Sequence, residues 1–306
     1  GGGIVSSVRH TRAAREEHLV ALARGVADSM LSLGTTTAEA KSGYGLDRES
    51  EIKMLRVIRT VDREHAIDWV PTALPAHAIP PEFKERPEAY VDLIVDVILP
   101  AIAAEKLAEF SDIFLEEGAF NHVQTERIQG CARSLGFGLK FHVDQLTPQG
   151  GTELAVAMGA VSVDHLEFIS DAGIAALAAS DTIGVLMPGT AYYLDQADRP
   201  PVRRLIAAGA ALAVATDMNP GSNMCESMPM ALNQACVLYK MSPEEVLVAA
   251  TRNAAWAVGR ADRIGSVAVG KQCDLVVWET EDYRDLAYHY GVNLAATVIK
   301  RGEQVR

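Results

Sequence analysis

A parallel α/β barrel is the fold class this sequence predicts, on three observations. Short β-rich runs of about five to eight residues alternate with longer stretches of helical periodicity. The runs are apolar almost throughout, as strands buried on both faces of a sheet must be. Most of them end in a side chain capable of proton transfer or metal binding, which is where active sites lie in (β/α)8 barrels. With 306 residues, 49% hydrophobic and 22% charged, the chain can bury a large core. Its net charge of −12 and its lack of any basic cluster argue against nucleic acid and anionic membrane as partners.

The elements follow in order. The opening "GGGIVSSVRH" reads as part of a loop with no signal-peptide layout, and the true N-terminus is expected upstream of it. "VRHTRAAREEHLVALARGVADSMLSLG" predicts one helix, with Leu19, Leu22, Ala23, Val26 and Met30 at helical spacing and Gly34 as its stop. Seven strand candidates come next: "TTTAEAKSGYG", "IDWVPTALPAHA", "DIFLEEGAF", "GLKFHVDQL", "VSVDHLEF", "TIGVLMPG" and "ALAVATDMNPG". Their C-terminal ends are expected at Tyr44, His77, Glu116, His142, His165, Met187 and Asp217, at intervals of 22 to 39 residues, close to the pitch of a βα unit. Seven such units beginning with a helix imply an eighth strand just upstream, so the best fit is a TIM-like (β/α)8 barrel missing its first strand. A doubly wound open sheet is the alternative, weakened because no phosphate-cradling Gly-rich loop follows the first strand. After the helix at "SPEEVLVAATRNAAWAVG" the texture changes: "GSVAVGKQCDLVVWE" and "AATVIKRGEQVR" read as strands of another kind. Residues 1–263 are therefore assigned to the barrel. Residues 264–306 are too few to bury a core alone and are assigned to the C-terminal part of a composite β domain.

Chemistry concentrates at the strand ends. One strand ending in histidine is ordinary core packing, but His77, His142, His165 and Asp217 end four of the seven. Neutral imidazole and carboxylate suit Zn²⁺ or Fe²⁺, and a catalytic metal needs several protein ligands plus one open position. His142 and Asp217 are too few alone. A His-x-His pair upstream would complete the set, since residues i and i+2 of a strand face the same side. The remaining histidines, His10, His18, His65, His122 and His289, fall in helices and loops. Glu116 or Glu117 either lines the pocket or makes a strand-end ion pair. Tyr192 and Tyr193 either form a lid or pack on neighbouring surface. Four cysteines without a C-x-x-C pair point to free thiols in a reducing cytoplasm. No apolar run approaches the roughly 18 to 20 residues of a spanning helix.

The motifs "KFHVDQL", "VDHLEF" and "ATDMNPGS", followed by "GSVAVGKQCDLVVW", resemble the amidohydrolase superfamily, and "EAKSGYGL" and "PAHAIP" resemble its imidazolonepropionase branch. Cys273 stands where that superfamily's closing G-x-x-A-D-L-V-V element usually has Ala. The resemblance implies that His142 and Asp217 are ligands of one divalent metal, the other two being the His-x-His pair. It implies that His165 polarises or protonates the substrate, that Tyr44, His77 and Gln145 contact it, and that Asn219, Gly221 and Ser222 hold the product. The implied reaction opens the cyclic amide of 4-imidazolone-5-propanoate, a small-molecule substrate, to N-formimidoyl-L-glutamate in histidine breakdown. Such enzymes are often homodimers.

Physical chemistry bears on those roles. A glutamine at 145, where some relatives carry glutamate, cannot accept a proton as a base, which leaves that duty to Asp217 or His165. Tyr44 and His77 are both expected to donate hydrogen bonds to the substrate, and the backbone N–H groups of the "NPGS" turn suit a carboxylate. The fourth barrel strand, "DIFLEEGAF", has no lysine to bridge two metals; Lys140, on the next strand, shares the interior face with His142. A single metal is therefore expected. Two competing readings remain at this level: a deaminase releasing ammonia, and a non-catalytic binding barrel.

Overall fold

The computed structural model describes residues 3–306. Seven strands, β1 (Thr37–Lys41), β2 (Asp68–Ala76), β3 (Phe110–Leu115), β4 (Gly138–Val143), β5 (Ser162–His165), β6 (Ile183–Leu186) and β7 (Leu212–Val214), form one sheet in sequential order. All pair in parallel. Side chains show how strongly the sheet curls. Lys41 on β1 places Nζ 3.0 Å from Asp164 Oδ2 on β5, whereas four strand spacings in a flat sheet amount to about 19 Å. The strands have rolled into a barrel wall with those side chains inside. Among the described residues β1 pairs only with β2 and β7 only with β6.

Helices cover the outside of this wall. The helix Arg48–Glu64 is capped by Asp47, whose side chain accepts from Ser50 N, and turns Ile52, Leu55, Val57 and Val61 inward. The segment from Pro87 to Glu105 stays helical through a π turn at Ile94–Ile98, and Tyr90, Val91, Ile94, Ile98, Leu99 and Ile102 are buried along it. The expected C-terminal helix likewise runs from Pro243 to Ala257 through a π turn at Ala249–Asn253.

Three expectations need correction. The chain does not open in a loop: a helix starts at Gly3, and residues 1 and 2 lie outside the described part. The single long helix is two, α1 (Gly3–Ala13) and α2 (Glu16–Ser32), broken at Ala14 and Arg15. Lys53 explains the break, because its ammonium donates to the carbonyls of Thr11, Arg12 and Ala14 and so caps the end of α1. Gly34 does end α2, at φ +94°. Finally, "GSVAVG" is not a strand: Val267 and Val269 are 87% and 107% exposed, with no partner strand among the described residues. Alternation alone does not supply a neighbour.

The second sheet holds β8 (Leu275–Trp278), β9 (Ala295–Lys300) and β10 (Glu303–Gln304), antiparallel in the order β10-β9-β8. Lys300 fastens it to the barrel, its buried ammonium 2.8 Å from Asp68 and 2.7 Å from Asp274. Asp68 begins β2, so this sheet sits at the end of the barrel opposite the strand C-termini. Replacing Lys53 by Met should lower stability by about 1–3 kcal/mol, because three helix-end carbonyls lose a charged donor. Thermal or denaturant unfolding reads this directly.

Candidate active site

The C-terminal ends of the strands carry the site, and buried side chains tie their loops in place. After β1, the loop holding Tyr44 wraps around the fully buried carboxylate of Glu51, which accepts from the backbone N–H groups of Gly43, Gly45 and Leu46. Gly45 is required there, since a Cβ would lie 2.6 Å from Glu51 N. Tyr44 meets His77 edge-on with ring centroids 5.2 Å apart. His77 Nδ1 lies 3.0 Å from the carbonyl of Gly43. A carbonyl only accepts, so Nδ1 carries the proton. Burial, helped by the neighbouring His142, pulls the His77 pKa down to about 4 and keeps the ring neutral. Its free Nε2 is therefore an acceptor, not the donor that the sequence led us to expect.

His142 lies within β4 and points inward. Its Nδ1 lies 3.1 Å from Asp112 on β3, and its ring stands 5.2 Å from that of His165 and 6.2 Å from that of His77. A carboxylate holding Nδ1–H leaves Nε2 as the outward lone pair, the arrangement of a metal-ligating histidine. Burial opposes charge on this ring, yet the Asp112 carboxylate more than offsets it and raises the pKa.

Beneath this ring lies an ionic network that the sequence reading did not identify. Lys41 Nζ sits 2.5 Å from Asp112, 3.0 Å from Asp164 and 3.4 Å from Glu39. Lys140 Nζ reaches Glu39 at 3.2 Å, Ser162 Oγ at 3.3 Å and the Ala257 carbonyl at 2.6 Å. Burial penalises both charges of the Lys41–Asp112 pair. Even so, Asp112, Asp164 and Glu39 hold Lys41 well above its ordinary pKa, while His142 and Lys41 hold Asp112 far below the usual carboxylate range. The detectable signal was a polar or charged pair at i and i+2 within apolar runs: Glu39 and Lys41, Lys140 and His142, Ser162 and Asp164. Of these residues the sequence places only Lys140 and His142 on the interior face.

Ligand atoms of Asp112, His142 and Asp164 lie within 4.8 Å of one another. The two carboxylates already share the Lys41 ammonium, so the nitrogen left for an added cation is Nε2 of His142. Asp217 is the other residue expected to ligate a metal. It lies beyond the end of β7, which stops at Val214, in the left-handed region at φ +51°. One of its oxygens accepts from Thr190 Oγ1, a buried hydroxyl on the helix Pro188–Tyr193. A histidine nitrogen and a carboxylate oxygen, each fixed by a partner behind it, fit the donor chemistry of Zn²⁺ or Fe²⁺.

His165 ends β5 with φ +86°, followed by Leu166 at φ +75°. Two successive non-glycine residues in this region cost about 1–3 kcal/mol each, a strain characteristic of functional sites. Burial and the charge of His142 bring the His165 pKa down to about 3. The ring is therefore neutral at physiological pH, and its buried Nδ1 has no hydrogen-bond partner among the described residues.

The remaining expected residues divide. Gln145 lines a cavity of about 260 Å³ together with Leu146, Glu167, Phe168, Gln196, Ala197 and Asp198. Glu116 is buried and accepts from Leu146 N and from Thr147, which settles the loop carrying Gln145, whereas Glu117 is exposed. Tyr192 and Tyr193 are exposed. The N–H groups of Gly221 and Ser222 do not stand free for a carboxylate: both donate to Asn219 Oδ1, at 2.9 and 2.8 Å. Asn219 also donates to the Asp217 carbonyl and to Ser222 Oγ. These three residues thus form a self-bonded turn beside Asp217.

Comparison with known proteins shows the family. Residues 142–305 match the model of the amidohydrolase family. Imidazolonepropionase of Herpetosiphon aurantiacus is 50% identical over all of this chain and 73% of its own length, and that of Shewanella baltica 46% identical over all of this chain and 75% of its own. The chain belongs to the imidazolonepropionase family of amidohydrolases. Solved structures of the family's wider fold agree at low identity. An atrazine chlorohydrolase variant from Arthrobacter aurescens, complexed with zinc and atraton, matches with TM-score 0.78 at 14% identity, covering 95% of this chain and 72% of that one. A zinc-bound adenosine deaminase from Xanthomonas campestris matches with TM-score 0.72 at 21% identity, covering 95% of this chain and 70% of that one. Family members use a divalent metal. Among the described residues no helix is long and apolar enough to cross a membrane.

Two outcomes follow from the Asp112 carboxylate. Asp112→Asn should weaken metal binding about 10- to 100-fold, as loss of a partner behind a ligand histidine does, measured by chelator competition on full-length protein. Because the folded pKa of Asp112 is lowered, the unfolded chain takes up the proton first. This contribution to stability is therefore present above about pH 4 and is lost as pH falls below it. Unfolding free energy measured against pH should decline there, and less steeply in Asp112→Asn.

Proposed function

We propose that this chain hydrolyses the cyclic amide bond of 4-imidazolone-5-propanoate to N-formimidoyl-L-glutamate, using one divalent metal, Zn²⁺ or Fe²⁺. The observation that carries the proposal is that His142, held by Asp112, and Asp217, held by Thr190, both act electrostatically on the buried His165. His142 and Asp217 would be two of the metal's ligands. When bound, the metal supplies water activation at neutral pH and polarises the amide carbonyl.

The chain's own residues supply the rest. Asp217, steadied by Thr190, would take a proton from the attacking water and pass it to the leaving ring nitrogen. His165, neutral because it is buried, polarises the substrate through a hydrogen bond rather than as a standing acid. Tyr44 keeps its phenol protonated, since burial and the Asp217 charge raise its pKa, so it donates to a substrate oxygen. His77 Nε2 accepts from a ring N–H. Gln145 contacts the substrate from the cavity wall, and Asn219, Gly221 and Ser222 shape the turn over the product. Lys140 is engaged by Glu39, Ser162 and the Ala257 carbonyl, which supports a mononuclear site.

Residues 264–306 are read as the C-terminal part of a small β domain. Four unpaired cysteines support a cytoplasmic setting. A homodimer is the assembly we propose.

Incubating full-length protein with 4-imidazolone-5-propanoate should yield N-formimidoyl-L-glutamate without ammonia, followed by mass spectrometry and an ammonia assay. Ammonia release from an aminated heterocycle, with no ring opening of the imidazolone, would establish a deaminase instead. Asp217→Asn should reduce kcat by about 10² to 10⁴, the usual loss on removing a general base, with the fold intact by circular dichroism.

A further inference from the structure

Glu167 has no role in the site as described so far, and its surroundings are unusual. It follows the strained His165–Leu166 pair and is 7% exposed. Both its carboxylate oxygens are buried and make no hydrogen bond among the described residues. A buried carboxylate without donors is costly, so a native fold that retains one has a partner in view. Glu167 lines the same 260 Å³ cavity as Gln145. Gln196, on the opposite loop of that cavity, also has a buried Oε1 that accepts nothing. Tyr239, whose phenol feels the Glu167 charge, makes no hydrogen bond to it either. Burial and the charge of Asp217 push the Glu167 carboxyl up to about 8, against its own backbone N–H and Arg199.

Glu167 and Gln196 both line this cavity and carry three buried oxygens without a donor among the described residues, which suits a ligand rich in N–H donors. With its pKa raised to about 8, the Glu167 carboxyl holds a proton at neutral pH until a cation meets it. Once the proton is given up, the carboxylate is most selective for a planar fork of two N–H groups bearing positive charge, which it meets with two parallel hydrogen bonds. Under the ring-opening reading, the reaction creates such a fork. Hydrolysis of the cyclic amide frees an N–C–N unit as a formimidoyl group, an amidine that is protonated at neutral pH. Neither Tyr44 nor the self-bonded 219–222 turn offers that group a carboxylate.

We propose that Glu167 recognises the N–C–N edge of the ligand, pairing with the amidinium of the ring-opened product, with Gln196 Oε1 as a secondary acceptor. This rests on the ring-opening reading for the ligand's identity, and on the cavity for the recognition. Glu167 is then a specificity residue for the nitrogen end of the ligand, separate from the Asp217 proton path.

The test is calorimetric binding to chelator-treated full-length protein, with N-formimidoyl-L-glutamate and N-formyl-L-glutamate as probes. The two differ only in the terminal nitrogen replaced by oxygen, which removes the charge and that nitrogen's two N–H donors. Wild type should prefer the formimidoyl compound by about tenfold or more, the scale of one charge-assisted hydrogen bond. Glu167→Gln, nearly isosteric, should abolish this preference while leaving affinity for the formyl compound within about twofold. A preference that survives in Glu167→Gln, or is absent from wild type, overturns the proposal. If Glu167→Gln shows a lowered melting temperature, Glu167→Asp gives the same reading, because it keeps the charge and should keep a reduced preference; equal binding of both probes by that variant also counts against it. Ring opening by wild type without any amidinium preference removes Glu167 from recognition and leaves the activity standing. Amidinium preference without ring opening does the reverse.

Discussion

The Lys41 ammonium held between Asp112 and Asp164 is the interaction on which the site depends. It joins β1 to β3 and β5 across the barrel interior, and so records the curvature that brings all the strand ends to one mouth. A buried ion pair contributes little net stability, because desolvation offsets the attraction, yet removing one partner leaves an uncompensated charge costing about 3–5 kcal/mol. Such a network is better suited to specifying one arrangement than to strengthening it. Here it fixes Asp112, Asp112 fixes the Nδ1 side of His142, and the Nε2 side is left for chemistry.

The mouth above the network is organised by polar side chains that bond to backbone. Glu51 gathers the Tyr44 loop, Glu116 the Gln145 loop, and Asp144 the start of the next helix through Gly151 N and Thr152 N. Asn219 folds the turn after Asp217. Each of these loops is irregular, so its N–H groups lack ladder partners, and one buried oxygen-bearing side chain substitutes for several missing backbone carbonyls. Loops anchored this way hold left-handed residues such as His165 and Asp217 in conformations they would leave if free.

Much of this was legible in one dimension. The apolar runs of β4, β5 and β7 are buried on both faces, which is why they read as parallel strands, and their sequential order follows from short right-handed connections. His142 and Asp217 stood out because a side chain costly to bury appeared beside an otherwise apolar run. The inner charges Lys41, Asp112 and Asp164 were harder to see. A lone lysine or aspartate in a run resembles a strand boundary until its counter-charge, as many as 123 residues away, is known to be adjacent.

The sequence by itself determined the class of fold, the strand order and the residue types available for chemistry, because burial periodicity and side-chain identity are local properties. Only the tertiary structure decided their states and orientations. It made His77 an acceptor by giving its Nδ1–H the Gly43 carbonyl, occupied the "NPGS" amides with Asn219, split the first helix at the Lys53 cap, and left Glu167 without a donor. In each case the deciding partner is distant in sequence or is one of several local options, and a hydrogen bond's direction exists only once both ends are placed.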